Sequence, residues 1–157
     1  KPAYIRVGRN AVEDVYTEES LQFELNKASV LHTGSDVAII ACGEMVYQAV
    51  KAAELLEEQG VSAYVVDMYC LKPLDEQAVI DAAKATGLIV TVEEHVQQGG
   101  LNAAVAQCVS RNCPCRVEGL TLPDEPVTAG KSSEIFTYYG LDGKGIAEKC
   151  MELMGKK

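Results

Sequence analysis

Short unbroken apolar runs alternate with longer stretches in which apolar residues recur at helical spacing. Val37-Ala38-Ile39-Ile40-Ala41-Cys42 is one such run, ended by Gly43. It has the pattern of a strand covered on both faces. Residues 45–59 follow, with Val46, Ala49, Val50, Ala53 and Leu56 on one helical face and Gly60 as the stop. The same alternation predicts a strand over 61–68, a helix over 75–86 closed by Gly87, and a buried strand over 88–92. It then predicts a helix over 101–111 opened by Gly99-Gly100, a strand over 116–122, and terminal helices over 132–139 and 146–154. Upstream, residues 27–33 read as a strand followed by the turn Gly34-Ser35-Asp36. Residues 2–7 alternate loosely and predict one more short strand. The polar, acidic stretch from Asn10 to Ser20 reads as a linker.

Strands and helices alternating through short connections predict an α/β fold. It has three layers, α/β/α, with a mostly parallel sheet of about five strands. In such sheets function gathers in the crevice outside the carboxyl ends of the strands. The residues that follow each strand are Gly43-Glu44, then Asp67, Lys72 and Pro73, then Glu93-Glu94-His95 with Gly99-Gly100, and last Asp124.

Composition narrows the partners more than the fold. The 157 residues suit one domain, or one domain and an arm. A formal net charge of −9 repels phosphate backbones and anionic lipid. There is no long apolar run of membrane-spanning length and no signal-peptide pattern at Lys1-Pro2-Ala3-Tyr4. A cytoplasmic location is the expectation. The first residue is not Met, so a processed or cut chain is expected too. Of six cysteines, Cys42, Cys70, Cys108 and Cys150 fall within apolar patterns, and Cys113-Pro114-Cys115 reads as exposed. A lone CxC lacks the paired spacing of a zinc site, so reduced thiols and no metal are expected.

The densest ionisable set at a strand end is Glu93-Glu94-His95. Such a set can do acid–base chemistry. It can equally cap the next helix and tie loops together. Neighbours on a strand face opposite ways, so Glu93 and Glu94 share a target only if the strand has ended. Gly99-Gly100 before a helix resembles an anion cradle, but no Lys or Ser/Thr follows at P-loop spacing and no GxGxxG is present. The strand ending Ile40-Ala41-Cys42-Gly43 lacks the Asp of a phosphoacceptor domain, and there is no GxSxG nucleophile. These residues define an α/β domain without a self-sufficient active site, a module that works with a partner.

Five segments in order carry a family resemblance. They are Tyr4-Ile5-Arg6-Val7-Gly8-Arg9, the run from Gly34 to Gly43, Leu71-Lys72-Pro73-Leu74-Asp75, the run from Val92 to Leu101, and Gly130-Lys131-Ser132-Ser133-Glu134 with Tyr139-Gly140-Leu141. Together they resemble the C-terminal domain of the transketolase family over essentially the whole chain. The same domain type occurs in deoxyxylulose-phosphate synthase and in beta subunits of 2-oxo acid dehydrogenases. The resemblance implies that the first strand of the domain runs antiparallel to the rest. It implies that residues 1–9 end a preceding pyrimidine-binding domain, that 10–22 are a linker, and that 23–157 are the C-terminal domain. It implies a transferase that moves a two-carbon ketol unit from a ketose phosphate to an aldose phosphate in carbohydrate metabolism of the pentose phosphate kind. Thiamine diphosphate and Mg²⁺ serve that chemistry. They are expected on the missing domains rather than on this chain, since Gly140-Leu141-Asp142-Gly143 does not match the family's diphosphate motif.

By the same resemblance no residue here is catalytic. Arg9, and secondarily Arg6, are expected to meet the sugar phosphate, as a guanidinium suits a phosphate. Glu93, Glu94, His95, Gly99 and Gly100 are expected to brace the dimer or the neighbouring domains. The expected partners are the diphosphate- and pyrimidine-binding domains or an N-terminal subunit, within a homodimer. Two alternatives stay open: the C-terminal domain of a 2-oxo acid dehydrogenase beta subunit, and a free-standing interaction or regulatory domain.

Overall fold

The computed structural model describes residues 2–8 and 11–155. In chain order the elements are β1 (Ser29–His32), β2 (Val37–Ala41), α1 (Met45–Glu57), β3 (Ala63–Asp67), α2 (Glu76–Thr86), β4 (Leu88–Val96), α3 (Leu101–Asn112), β5 (Arg116–Leu122), α4 (Ser132–Tyr139) and α5 (Gly143–Leu153). The strands form one five-stranded sheet in the order β1-β3-β2-β4-β5. β1 runs antiparallel to β3, with Ser29 opposite Asp67, and every other pairing is parallel. This is the expected α/β sheet with its first strand reversed.

The central strands are apolar on both faces because both are covered. Ile39, Ala41, Val90 and Val92 pack under α1 and α5 with Leu56, Ile146 and Cys150. Ala38, Ile40, Val66 and Ile89 pack under α2 and α3 with Val79, Ala82, Leu101 and Val105. All five residues of β2 are buried, so alternation along it sorts residues between two helical layers rather than between core and water. Alanines on α1, at positions 49, 52 and 53, let that helix lie close to the sheet. Against its outer side Gly143 opens α5, where a Cβ would stand 2.7 Å from the Cβ of Lys51. Leu55 and Gln59 near the end of α1, with Met151 and Gly155 at the end of α5, line a groove of about 710 Å³. α1 runs from the carboxyl end of β2 to the amino end of β3, so this groove lies at the pole opposite the crevice.

Three expectations change. Residues 2–7 form no strand: they are exposed and outside the sheet. A strand needs a ladder partner, and among the described residues no neighbouring strand lies beside them. β4 does not stop at Val92 but runs to Val96, where it pairs Leu122 of β5 again after a register shift between Val92 and Val96. Glu93, Glu94 and His95 therefore lie on the strand. α5 starts at Gly143 rather than 146, because the Asp142 side chain accepts a hydrogen bond from the Gly145 N–H at 2.8 Å and caps the helix early.

Candidate functional site

The carboxyl ends of β2, β3 and β4 open on one side of the sheet. β2 leads into α1 on one face, and β4 leads into α3 on the other. The crevice between them is the switch point where ligands collect in folds of this kind.

Glu93 and Glu94 face opposite layers, as strand geometry requires. Glu93 shares the face of Ile89 and Thr91, toward α3, and is almost completely buried. Its carboxylate accepts hydrogen bonds from the backbone N–H of Leu101 at 2.7 Å and of Asn102 at 2.8 Å. These are donors that a helix start leaves unpaired, and Glu93 satisfies them with the charge sign the N-terminus favours. Gly100 is glycine for this reason: a Cβ there would collide with the Glu93 carboxylate. Gly99 holds a φ of +78° that turns the chain into the helix. Beside this cap the Asn102 side chain donates to the Thr91 hydroxyl at 3.0 Å. His95 is exposed, with Nδ1 2.8 Å from the Val96 carbonyl and 4.0 Å from Glu93. Within this cluster Glu93 caps α3.

Glu94 faces the other layer. Burial raises its pKa first, the neighbouring Glu44 carboxylate raises it further, and Arg6 opposes them. The Arg6 guanidinium stands 4.0 Å from Glu94, a long and exposed pair. Two residues on, Gly8 sits directly against the Glu44 carboxylate. Arg9 lies outside the described residues. At the end of β2, burial pushes the Cys42 thiol up to about 12, and the charges of Glu93 and Asp67 add to the effect. Asp67 ends β3, nearly buried, and accepts a hydrogen bond from the Tyr16 hydroxyl at 2.7 Å. Burial raises its pKa, and the phenol partly offsets this.

The Tyr16–Asp67 contact is not legible in the sequence. The one signal is Tyr16 itself, the sole aromatic between residues 11 and 20 of the acidic linker. Lys72, Pro73 and Asp124 are exposed. All six cysteines are free thiols. Cys113 and Cys115, expected to be exposed, pack partly against the α2–α3 layer instead.

The resemblance brings with it a diphosphate, which can be tested against these groups. The N-terminus of α3 faces the crevice, and its first amides already hold a carboxylate. Glu44, Asp67 and Glu94 add negative charge around it. The described residues do not fit a diphosphate.

An open α/β sheet with one reversed edge strand thus carries strand-end acids that are engaged in internal contacts. The chain belongs to the transketolase C-terminal domain family, whose pattern matches residues 26–146. It is 47% identical to a subunit of the apulose-4-phosphate transketolase of Phocaeicola vulgatus, over 99% of this chain and 50% of that protein. It is 37% identical to a 6-deoxy-6-sulfo-D-fructose transketolase subunit of a Clostridium species, over 99% of this chain and 48% of that protein. The solved structure of a split-gene transketolase, an inactive beta4 tetramer, superposes with a TM-score of 0.85 at 36% identity, over 96% of this chain and 49% of that one. The chain spans about half the length of the curated relatives it matches.

Proposed function

We propose that this chain supplies the C-terminal domain of a thiamine-diphosphate-dependent transketolase, in which it supports assembly of domains and of a homodimer rather than the chemistry. In this reading residues 1–9 finish a preceding pyrimidine-binding domain, 10–22 form the linker, and 23–157 are the accessory domain. The observation that carries the reading is Glu93. It is the best-placed acid of the crevice, and both its oxygens are committed to the start of α3. A group so engaged is not free to move protons on a substrate. Thiamine diphosphate and Mg²⁺ then belong to the partner domains, where the cofactor supplies the bond-breaking chemistry. The donor and acceptor follow the partner too. The relatives named above carry an apulose phosphate and a sulfo-sugar in their names.

Arg9 is proposed to meet the substrate phosphate, with Arg6 behind it. The test is ketol transfer by this chain combined with the diphosphate- and pyrimidine-binding domains of the same organism. Activity is expected from the mixture and not from the chain alone. In that mixture Arg9→Ala should raise KM for phosphorylated sugars by roughly 10- to 100-fold, the loss of one charge-assisted pair. KM for unphosphorylated sugars should stay near the parent value. Equal losses for both kinds of sugar would assign Arg9 to structure.

A further inference from the structure

The described residues ahead of β1 meet the strand ends in the order of the sheet. Arg6 lies at the end of β4 beside Glu94. Gly8 rests on Glu44, just past β2. Tyr16 is bonded to Asp67 at the end of β3. Beyond it the Glu24 backbone exchanges hydrogen bonds with the Tyr69 hydroxyl at 3.0 and 3.4 Å, and Phe23 stacks on the Tyr69 ring 4.1 Å away. The chain then enters β1 at the sheet edge. The sheet order β4, β2, β3, β1 is thus retraced by these contacts at the strand ends, made by the two described parts of a strap, 2–8 and 11–28.

The fastenings of this strap are unequal. The Arg6 pair is long and wet, worth little by itself. The Gly8 contact uses no side chain of the strap. The Phe23–Tyr69 clasp lies beyond the crevice, next to β1. Between them stands the Tyr16 hydroxyl on Asp67, short, half-buried and made to an acid that is 6% exposed. An ionised acceptor makes the stronger kind of hydrogen bond. It is also the contact nearest the crevice that can hold the strap down from its fixed end.

We propose that Tyr16 and Asp67 are a positioning pair: their hydrogen bond locks the linker onto the end of β3 and thereby shields the crevice side of the strand ends beside Cys42. The further consequence, that the pair fixes the junction with a preceding domain, rests on the reading given under Proposed function. The proposal gives Asp67 a task that the cap at Glu93 and the pair at Glu94 do not share.

Cys42 is the probe. It is half-buried at the end of β2, two residues before the Glu44 on which Gly8 rests. Cys150, fully buried under α1 on the far layer, is the internal control. Alkylation of the intact chain by iodoacetamide, read by peptide mass spectrometry, follows both thiols at once. Tyr16→Phe should raise the Cys42 rate about fivefold or more, with Cys150 unchanged, as expected for loss of one hydrogen bond gating local opening. An unchanged Cys42 rate in Tyr16→Phe would overturn the proposal. So would a parallel rise at Cys150, which marks general loosening. The second arm titrates the chain with the diphosphate- and pyrimidine-binding domains. Weaker assembly of Tyr16→Phe, by several-fold, supports the junction role. Unchanged assembly beside a faster Cys42 would overturn that role and the domain reading under it, while the latch itself stands.

Discussion

Glu93 and Asp67 are two nearly buried acids at neighbouring strand ends with opposite consequences for stability. Glu93 meets two backbone donors that nothing else satisfies. Glu93→Ala should cost about 2–4 kcal/mol, from an uncapped helix start and a cavity where the side chain lay. Glu93→Gln should cost less, since its amide oxygen still accepts one of the two bonds. Urea unfolding of the three proteins orders them, and a loss below about 1 kcal/mol for Glu93→Ala would mean that water caps α3 equally well. Asp67 behaves differently because burial raises its pKa. The folded state then holds the proton more tightly than the unfolded one. The stabilisation from that proton is complete below the ordinary Asp value near 4 and is lost as pH rises through the folded value. At neutral pH the chain therefore carries an uncompensated part of the burial cost. Asp67→Asn should raise the urea midpoint at pH 7, and the gap should close as pH falls toward about 4. A gap that widens toward acid would show that the Tyr16 bond outweighs burial.

At the scale of elements, most of the fold was readable because period and punctuation agreed. Gly43, Gly60 and Gly87 marked real ends, and all three have positive φ. The unbroken apolar run at 37–42 declared a strand buried on both faces, and β2 is that strand. The departures have one cause, since pairing is not written in the strand that needs it. β4 looked finished where its apolar run ended, yet after a register shift at the charged residues it pairs β5 again at Val96. Residues 2–7 had the alternation of a strand and no partner to make them one. The site was half legible. The acids at the strand ends were visible as a set, and alternation separated Glu93 from Glu94. That Glu93 reaches a helix eight residues on, or that Tyr16 spans 51 residues to Asp67, depends on how the chain returns across the sheet. The strap gives an element-scale prediction. Amide hydrogen exchange at Tyr4 to Val7 should be close to free-chain rates in the lone protein, and orders of magnitude slower at Val37 to Ala41. Assembly with the proposed partner should slow the first group. Strong protection of residues 4–7 in the lone monomer would require a pairing that this fold lacks.

For the whole molecule, the central strands and the helices on their two faces form two buried apolar clusters. The chain should fold alone, yet have no affinity for thiamine diphosphate, because α3 carries its own carboxylate and the crevice is acidic. Isothermal titration with thiamine diphosphate and Mg²⁺ should give no heat beyond dilution. Stoichiometric binding at micromolar affinity would move the active site onto this domain, and His95 would be the first residue to examine.

The groove between the ends of α1 and α5 has a practical corollary. Gly155 lines it, at the pole away from Arg6, Tyr16 and the strand ends. A purification handle or fluorescent reporter joined beyond Gly155 would leave from the pole opposite the strap contacts. The same cargo placed ahead of residue 2 would be tethered at the strap and would crowd the crevice. Attachment chemistry and immobilisation for the assembly measurements should therefore begin from the carboxyl side.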